Sequence, residues 1–106
     1  MRNIATFALI AGLTGSMLAT AAVDKKVERT WKAKCSSCHS ADGTGSSDQG
    51  KKLGAKNYAD AGVQGKFTDA QLKEAILNGV GKDMPAYKDL NEQADQLVEL
   101  IRSFKK

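Results

Sequence analysis

Cys35-Ser36-Ser37-Cys38-His39 holds both cysteines and the only histidine of this 106-residue chain. Two thiols three positions apart can each add across one vinyl group of a haem, and the imidazole directly after them can coordinate the iron. C-x-x-C-H therefore reads as a c-type haem attachment site. Other chemistries compete for the same residues. A thioredoxin-like redox pair also uses C-x-x-C, but it needs strands alternating with helices, and no convincing strand run follows the motif. Two Cys and one His leave a structural zinc site one ligand short unless a carboxylate helps. A disulfide across two intervening residues would close a tiny loop, constrain the unfolded chain little and leave His39 unexplained.

The N-terminus opens with Arg2, continues through a mostly apolar stretch from Ile4 to Leu18, and closes with Ala19-Thr20-Ala21 ahead of Asp24-Lys25-Lys26. A positive start, a short apolar region and an A-x-A-like site make a secretory signal peptide of residues 1–21, with cleavage after Ala22 as the neighbouring alternative. An uncleaved anchor would want roughly 20 apolar residues. This run is shorter and is broken by Gly12, Thr14, Gly15 and Ser16, so no stable membrane insertion is expected after cleavage. Residues 22–106 then form one domain, and the loss of Arg2 alone takes the formal charge from +4 to +3. Export predicts a periplasmic protein and removes nucleic acid as a partner, despite a pI near 9.1. A domain this small has a limited apolar core and needs a staple, a role a buried macrocycle would fill.

The segment from Asp24 to Lys34 predicts a short helix leading into the motif, with Val27, Thr30 and Trp31 on one face. Residues 40–66 carry six glycines and no sustained periodicity, which predicts a long loop with brief helical turns near Gly50–Leu53 and Asp60–Gln64. A loop that long in so small a domain normally wraps something. Thr68-Asp69-Ala70-Gln71 is a capping-box pattern followed by Leu72, Ala75 and Ile76 on one face and by Gly79 as a stop. The last helix is expected from about Asn91 to Phe104, with Leu97, Leu100, Ile101 and Phe104 as a buried stripe that packs on Val27 and Trp31.

Met84 is the only methionine left once the signal peptide is gone. It precedes Pro85, which restricts it toward an extended backbone, a setting that suits a loop presenting one side chain. A lone Met is by default a gap-filling core residue. With a haem and no second His, it becomes the candidate for the sixth iron position opposite His39. A thioether tolerates reduced iron and so raises the reduction potential, and a six-coordinate iron leaves no open position for substrate. Such a centre changes charge by one electron without making or breaking bonds, which predicts a carrier and not an enzyme.

Taken in order, these residues resemble the small, soluble, monohaem class I cytochromes c of bacteria. The likeness runs over the whole mature chain. It takes in Trp31 four residues before the first Cys, the C-x-x-C-H motif, Ala41-Asp42-Gly43-Thr44-Gly45 and Gly50-Lys51-Lys52-Leu53-Gly54. It continues through Lys66-Phe67-Thr68-Asp69-Ala70 and Met84-Pro85-Ala86-Tyr87 to the terminal helix ending at Phe104. The resemblance implies an all-α cytochrome c fold, with three main helices and a long loop around one covalently attached haem c. It implies thioether bonds from Cys35 and Cys38, and His39 and Met84 as axial ligands. It further implies a shuttle between a membrane oxidoreductase and a terminal oxidase or reductase.

One position departs from the family. Its members commonly have a proline in the loop after the motif, whose carbonyl accepts the second N–H of the proximal imidazole; here the matching position is Asp48, and Pro85 is the only proline. The carbonyl at or next to Asp48, or the Asp48 carboxylate, is the expected acceptor. Lys32, Lys34, Lys51, Lys52, Lys82 and Lys88 are expected to ring the exposed haem edge, as a docking surface for an acidic partner or as ordinary solvated charge. Two rival functions remain open at this stage: a haem-based ligand sensor or gas-binding protein, and a haem subunit of a larger oxidoreductase.

Overall fold

The computed structural model describes residues 23–106; the expected signal peptide lies outside them. Asp24 is extended (φ −63°, ψ 143°), and its carbonyl accepts the amides of Val27 and Glu28 at 2.9 and 3.2 Å, which starts helix α1 (Lys25–Thr30). The helix does not stop at Lys34 as read from the sequence. It runs on through a π-helical turn, Trp31–Cys35, into α2 (Ser36–His39). In that turn the Ser36 amide reaches back to the Trp31 carbonyl, and the Ser36 hydroxyl donates to the Lys32 carbonyl at 2.7 Å. An inserted π turn rotates the side chains beyond it relative to those before it. Simple 3.6-residue periodicity gives no sign of such an insertion.

Within residues 40–66 two short helices form close to the expected turns, α3 (Asp48–Leu53) and α4 (Ala61–Gln64). Ser47 caps α3 and Asp60 caps α4 by accepting amides from the first turn. The capping box opens α5 (Asp69–Asn78): Thr68 Oγ1 accepts the Gln71 amide at 3.1 Å, and Gln71 Oε1 accepts the Thr68 amide at 2.9 Å. A cap of this kind is worth about 1 kcal/mol. Gly79, at φ 78°, ends the helix. The last helix, α6 (Ala94–Ser103), starts later than expected because Asn91 is already right-handed helical and closes a 3₁₀ turn at Lys88–Leu90 instead of capping α6.

The core joins the two ends of the chain, as the stripes predict. Val27 and Trp31 from the first segment, Leu72 and Ile76 from α5, and Leu97, Val98 and Ile101 from α6 form one buried cluster with Leu90. The Trp31 and Phe104 rings lie 5.1 Å apart. The fold is therefore all-α, with three longer helical segments (Lys25–His39, α5 and α6). The described residues contain no strand beyond the single antiparallel bridge between Val80 and Met84. No helix among them is long and apolar enough to cross a membrane.

Arg102 fastens the long connection to α6. Its guanidinium donates to the Gln64 carbonyl (2.7 Å), Gln64 Oε1 (2.8 Å), the Phe67 carbonyl (2.6 Å) and Asp69 Oδ1 (2.8 Å). Gln64, itself buried, donates through Nε2 to the carbonyls of Tyr58 and Ile101. A buried amide with every polar atom paired is a rigid joint.

Candidate functional site

The end of the first helical segment, the middle of α5, the middle of α6 and the Met84 loop enclose an apolar pocket. It is lined by Cys35, His39 and Met84 together with Trp31, Tyr58, Leu72, Ala75, Ile76, Leu97 and Ile101. It holds about 380 Å³ of space, part of it open to solvent. Three of the four residues singled out from the sequence thus meet on one cavity, from positions up to 49 residues apart in the chain (Cys35 to Met84). Cys38, the fourth, is half-buried beside His39 and outside the lining, with its Sγ 4.0 Å from the Ser37 hydroxyl.

His39 sits between two rings, its centroid 5.7 Å from Trp31 and 5.6 Å from Tyr58. Its Nδ1 is buried and has no hydrogen-bond partner among the described residues. Burial also pulls its pKa below the ordinary histidine value, so the neutral imidazole, the form that can ligate a metal, predominates at neutral pH. The expectation for Asp48 is not met: that residue is exposed in the first turn of α3, and neither its carbonyl nor its carboxylate receives the imidazole N–H. The carbonyl of a residue opening a helix is directed along the helix axis toward later amides, which removes it as a partner for a neighbouring side chain.

Both cysteines are free thiols. Burial pushes the Cys35 thiol up to about 11, against a smaller opposing pull from Lys34. A redox-active C-x-x-C cysteine has the opposite shift, toward a stable thiolate, so this environment does not suit a thioredoxin-like pair. The zinc alternative fares no better, since no three His, Cys, Asp or Glu side chains among the described residues are grouped to hold a metal ion.

Met84 is presented by a tight backbone turn. Its amide and carbonyl exchange hydrogen bonds with those of Val80, at 3.2 and 2.9 Å. The loop is anchored further by the Tyr87 amide on the Ile76 carbonyl at 2.9 Å and by the Tyr87 hydroxyl on the Lys34 carbonyl at 3.2 Å. Gly79, read from the sequence only as a helix stop, has a second role here, because its bare Cα admits the Met84 backbone. Tyr58 was missed altogether; nothing in the local pattern around it signals a pocket.

The six lysines are all exposed. Lys34 and Lys88 lie beside the Met84 loop, the first with its ammonium 6.0 Å from the centre of the Tyr87 ring and the second donating to Asn78 Oδ1 at 2.7 Å. Lys51 and Lys52 occupy the last turn of α3, which packs on α2.

The residues fit a haem on the evidence of the pocket itself. Two free thiols and a neutral imidazole follow one another on a helix, a thioether faces the same cavity, and the imidazole keeps one ring nitrogen buried without a partner among the described residues. Apart from those donors, the wall is almost entirely hydrocarbon and aromatic, as a macrocycle requires.

Known proteins agree in kind. A family model described as "Cytochrome C oxidase, cbb3-type, subunit III" matches residues 22–102. Among solved structures, the KustC0563 c-type cytochrome superposes with a TM-score of 0.69 at 34% sequence identity, covering 74% of this chain and 96% of its own. No curated protein matches.

Proposed function

The chain belongs to the cytochrome c family whose model is described as cbb3-type cytochrome c oxidase subunit III, and we propose on that footing that it is a soluble periplasmic carrier of single electrons. Membership makes haem-based electron transfer its chemistry. The finer reading, of one covalent haem with His39 and Met84 on its iron, rests on one observation: Cys35, His39 and Met84 line the same apolar pocket.

The haem supplies a one-electron iron couple. Cys35 and Cys38 would hold it through thioether bonds, so that the carrier keeps its group through every cycle. His39, held neutral by burial, would give the iron a nitrogen ligand, and Met84 a soft sulfur that favours the reduced state. Trp31, Leu72, Ile76, Leu97 and Ile101 would keep water from the buried side of the haem, so that less solvent has to rearrange when the charge changes. With His39 and Met84 both given to the iron, the protein would be a carrier that other enzymes reduce and oxidise. Those would be a membrane oxidoreductase on one side and a terminal oxidase or reductase on the other. The exposed lysines would meet acidic partners. Periplasmic residence follows from the pattern of residues 1–21.

Replacing Met84 by Ala tests the ligand set. The account expects loss of the weak sulfur-to-iron band of the oxidised protein, a lower reduction potential, and binding of carbon monoxide by the reduced form where the parent binds none. A variant with the parent's spectrum and potential would remove Met84 from the iron. A parent that binds carbon monoxide readily would favour a ligand sensor.

A further inference from the structure

Among the described residues the buried His39 Nδ1 has no hydrogen-bond partner, so no protein group bonded at that nitrogen fixes the ring's rotation. Its orientation must come from the backbone that carries it and from the rings on either side. That backbone is held by the Gly45 amide, which donates to the His39 carbonyl at 2.9 Å, and on both sides of His39 by Ser47. The Ser47 hydroxyl donates to the Ser37 carbonyl at 2.7 Å, with the Cys38 carbonyl also within reach at 3.3 Å. The same oxygen accepts the Gly50 amide at 2.9 Å. The Ser47 amide donates in turn to the Ser40 hydroxyl at 3.0 Å.

Ser47 therefore grips the chain on both sides of His39. On the far side it meets Ser40, the only non-glycine residue with positive φ among those described (φ 69°, ψ 157°). That region is almost closed to residues with a Cβ and is populated only where surrounding contacts impose it. The contacts here include the Ser47 amide on the Ser40 side chain, the Trp31 indole N–H on the Ser40 carbonyl at 3.0 Å, the Gly43 amide on that same carbonyl at 3.1 Å, and the Ser40 amide on the Ser36 carbonyl at 2.8 Å. Gly50 completes the grip: it is buried, and a Cβ there would collide with the Cys38 carbonyl.

We propose that Ser47 is a positioning residue for His39, its hydroxyl clamping the Ser37–Cys38 backbone and its amide holding Ser40, so that the imidazole is oriented through the main chain. The role rests on the haem reading of the pocket. It differs from the capping of α3, which uses Ser47 only as an acceptor, and the difference can be tested.

In the oxidised holoprotein the spread of the haem methyl proton resonances reports the plane of an axial imidazole. Ser47→Asp keeps an acceptor for the Gly50 amide but has no proton to give the Ser37 and Cys38 carbonyls. Ser47→Thr keeps both functions. Gln49→Asp adds the same charge two residues away without touching the clamp. The proposal expects Ser47→Asp to shift the methyl pattern with Gly50 amide exchange little changed, while Ser47→Thr and Gln49→Asp keep the parent's pattern. A parent pattern in Ser47→Asp, or an equal shift in Gln49→Asp, would overturn the clamp and leave Ser47 a helix cap. If Ser47→Asp does not accumulate, Ser47→Thr still decides: a shifted pattern there, with the hydroxyl retained, contradicts the proposal. A parent protein with no attached haem would instead remove the haem reading, a failure visible before any variant is made.

Discussion

Gly79 and Met84 share a contact that only glycine permits: a Cβ on Gly79 would stand 2.6 Å from the Met84 carbonyl oxygen. That oxygen is also the acceptor of the Val80 amide, so the helix stop and the turn that carries Met84 form a single piece of backbone. Gly79→Ala has to relieve both the collision and the unfavourable backbone at φ 78°, ψ 174°. The backbone alone costs about 1–3 kcal/mol. Urea unfolding should show a loss of at least that size, and the sulfur-to-iron band should weaken in parallel because the Met84 turn is displaced. A destabilised variant with the band at full strength would separate the two roles.

Arg102 offers a prediction free of the pocket chemistry. Arg102→Ala strips donors from Gln64 Oε1 and from the carbonyls of Gln64 and Phe67. Leaving such a partly buried group unpaired costs about 1–3 kcal/mol. The total loss should fall in the upper part of that range, since more than one acceptor is affected. Arg102→Lys should recover less than half of it, because a single ammonium cannot reproduce the planar fork. Chemical denaturation of the three proteins measures this directly, and full recovery by Lys would show that charge alone matters.

These features mark how far the sequence could be read. The α5 boundaries were legible because a capping box and a glycine stop are local signals, and the α6 stripe because burial on one helix face leaves a period in the residues. Elimination and softness singled out Met84, and it lines the pocket. What escaped was non-local. Arg102 meets Gln64 across 38 positions, Tyr58 reaches His39 across 19, and the Gly79–Met84 approach depends on how a turn folds back. The π turn at Trp31–Cys35 escaped for a different reason, since inserting one residue into a helix changes hydrogen bonding without changing composition.

At Asp48 the correction yields its own test. The residue opens α3 behind Ser47, whose extended backbone (φ −64°, ψ 161°) is the conformation a following proline demands. A first-turn position also has no intrahelical use for its amide. Asp48→Pro should therefore fold with stability within about 1 kcal/mol of the parent, the gain in rigidity being offset by loss of an acidic first-turn side chain. Lys51→Pro removes the amide that donates to the Ser47 carbonyl at 2.9 Å and should cost about 3 kcal/mol. Thermal melts of the two variants distinguish them, and comparable losses would contradict the placement of Asp48 at the helix start.

The lysines give a kinetic prediction. If Lys34, Lys82 and Lys88 flank the route by which electrons leave, reduction by an anionic one-electron complex should slow several-fold as salt rises, through screening. Reduction by a cationic complex should respond in the opposite sense. Neutralising the three lysines should flatten both dependences. Rates indifferent to ionic strength in the parent protein would leave these side chains as solvated charge.

The central claim is that Cys35 and Cys38 bind one haem covalently ahead of an iron-ligating His39. Intact mass spectrometry of the protein recovered from the periplasm, after acid-acetone extraction of any loose haem, tests it most directly. The account predicts the mass of residues 22–106 plus one haem, with no free thiol available to alkylation. A mass equal to the bare polypeptide, with two alkylatable thiols or a disulfide in their place, would contradict it.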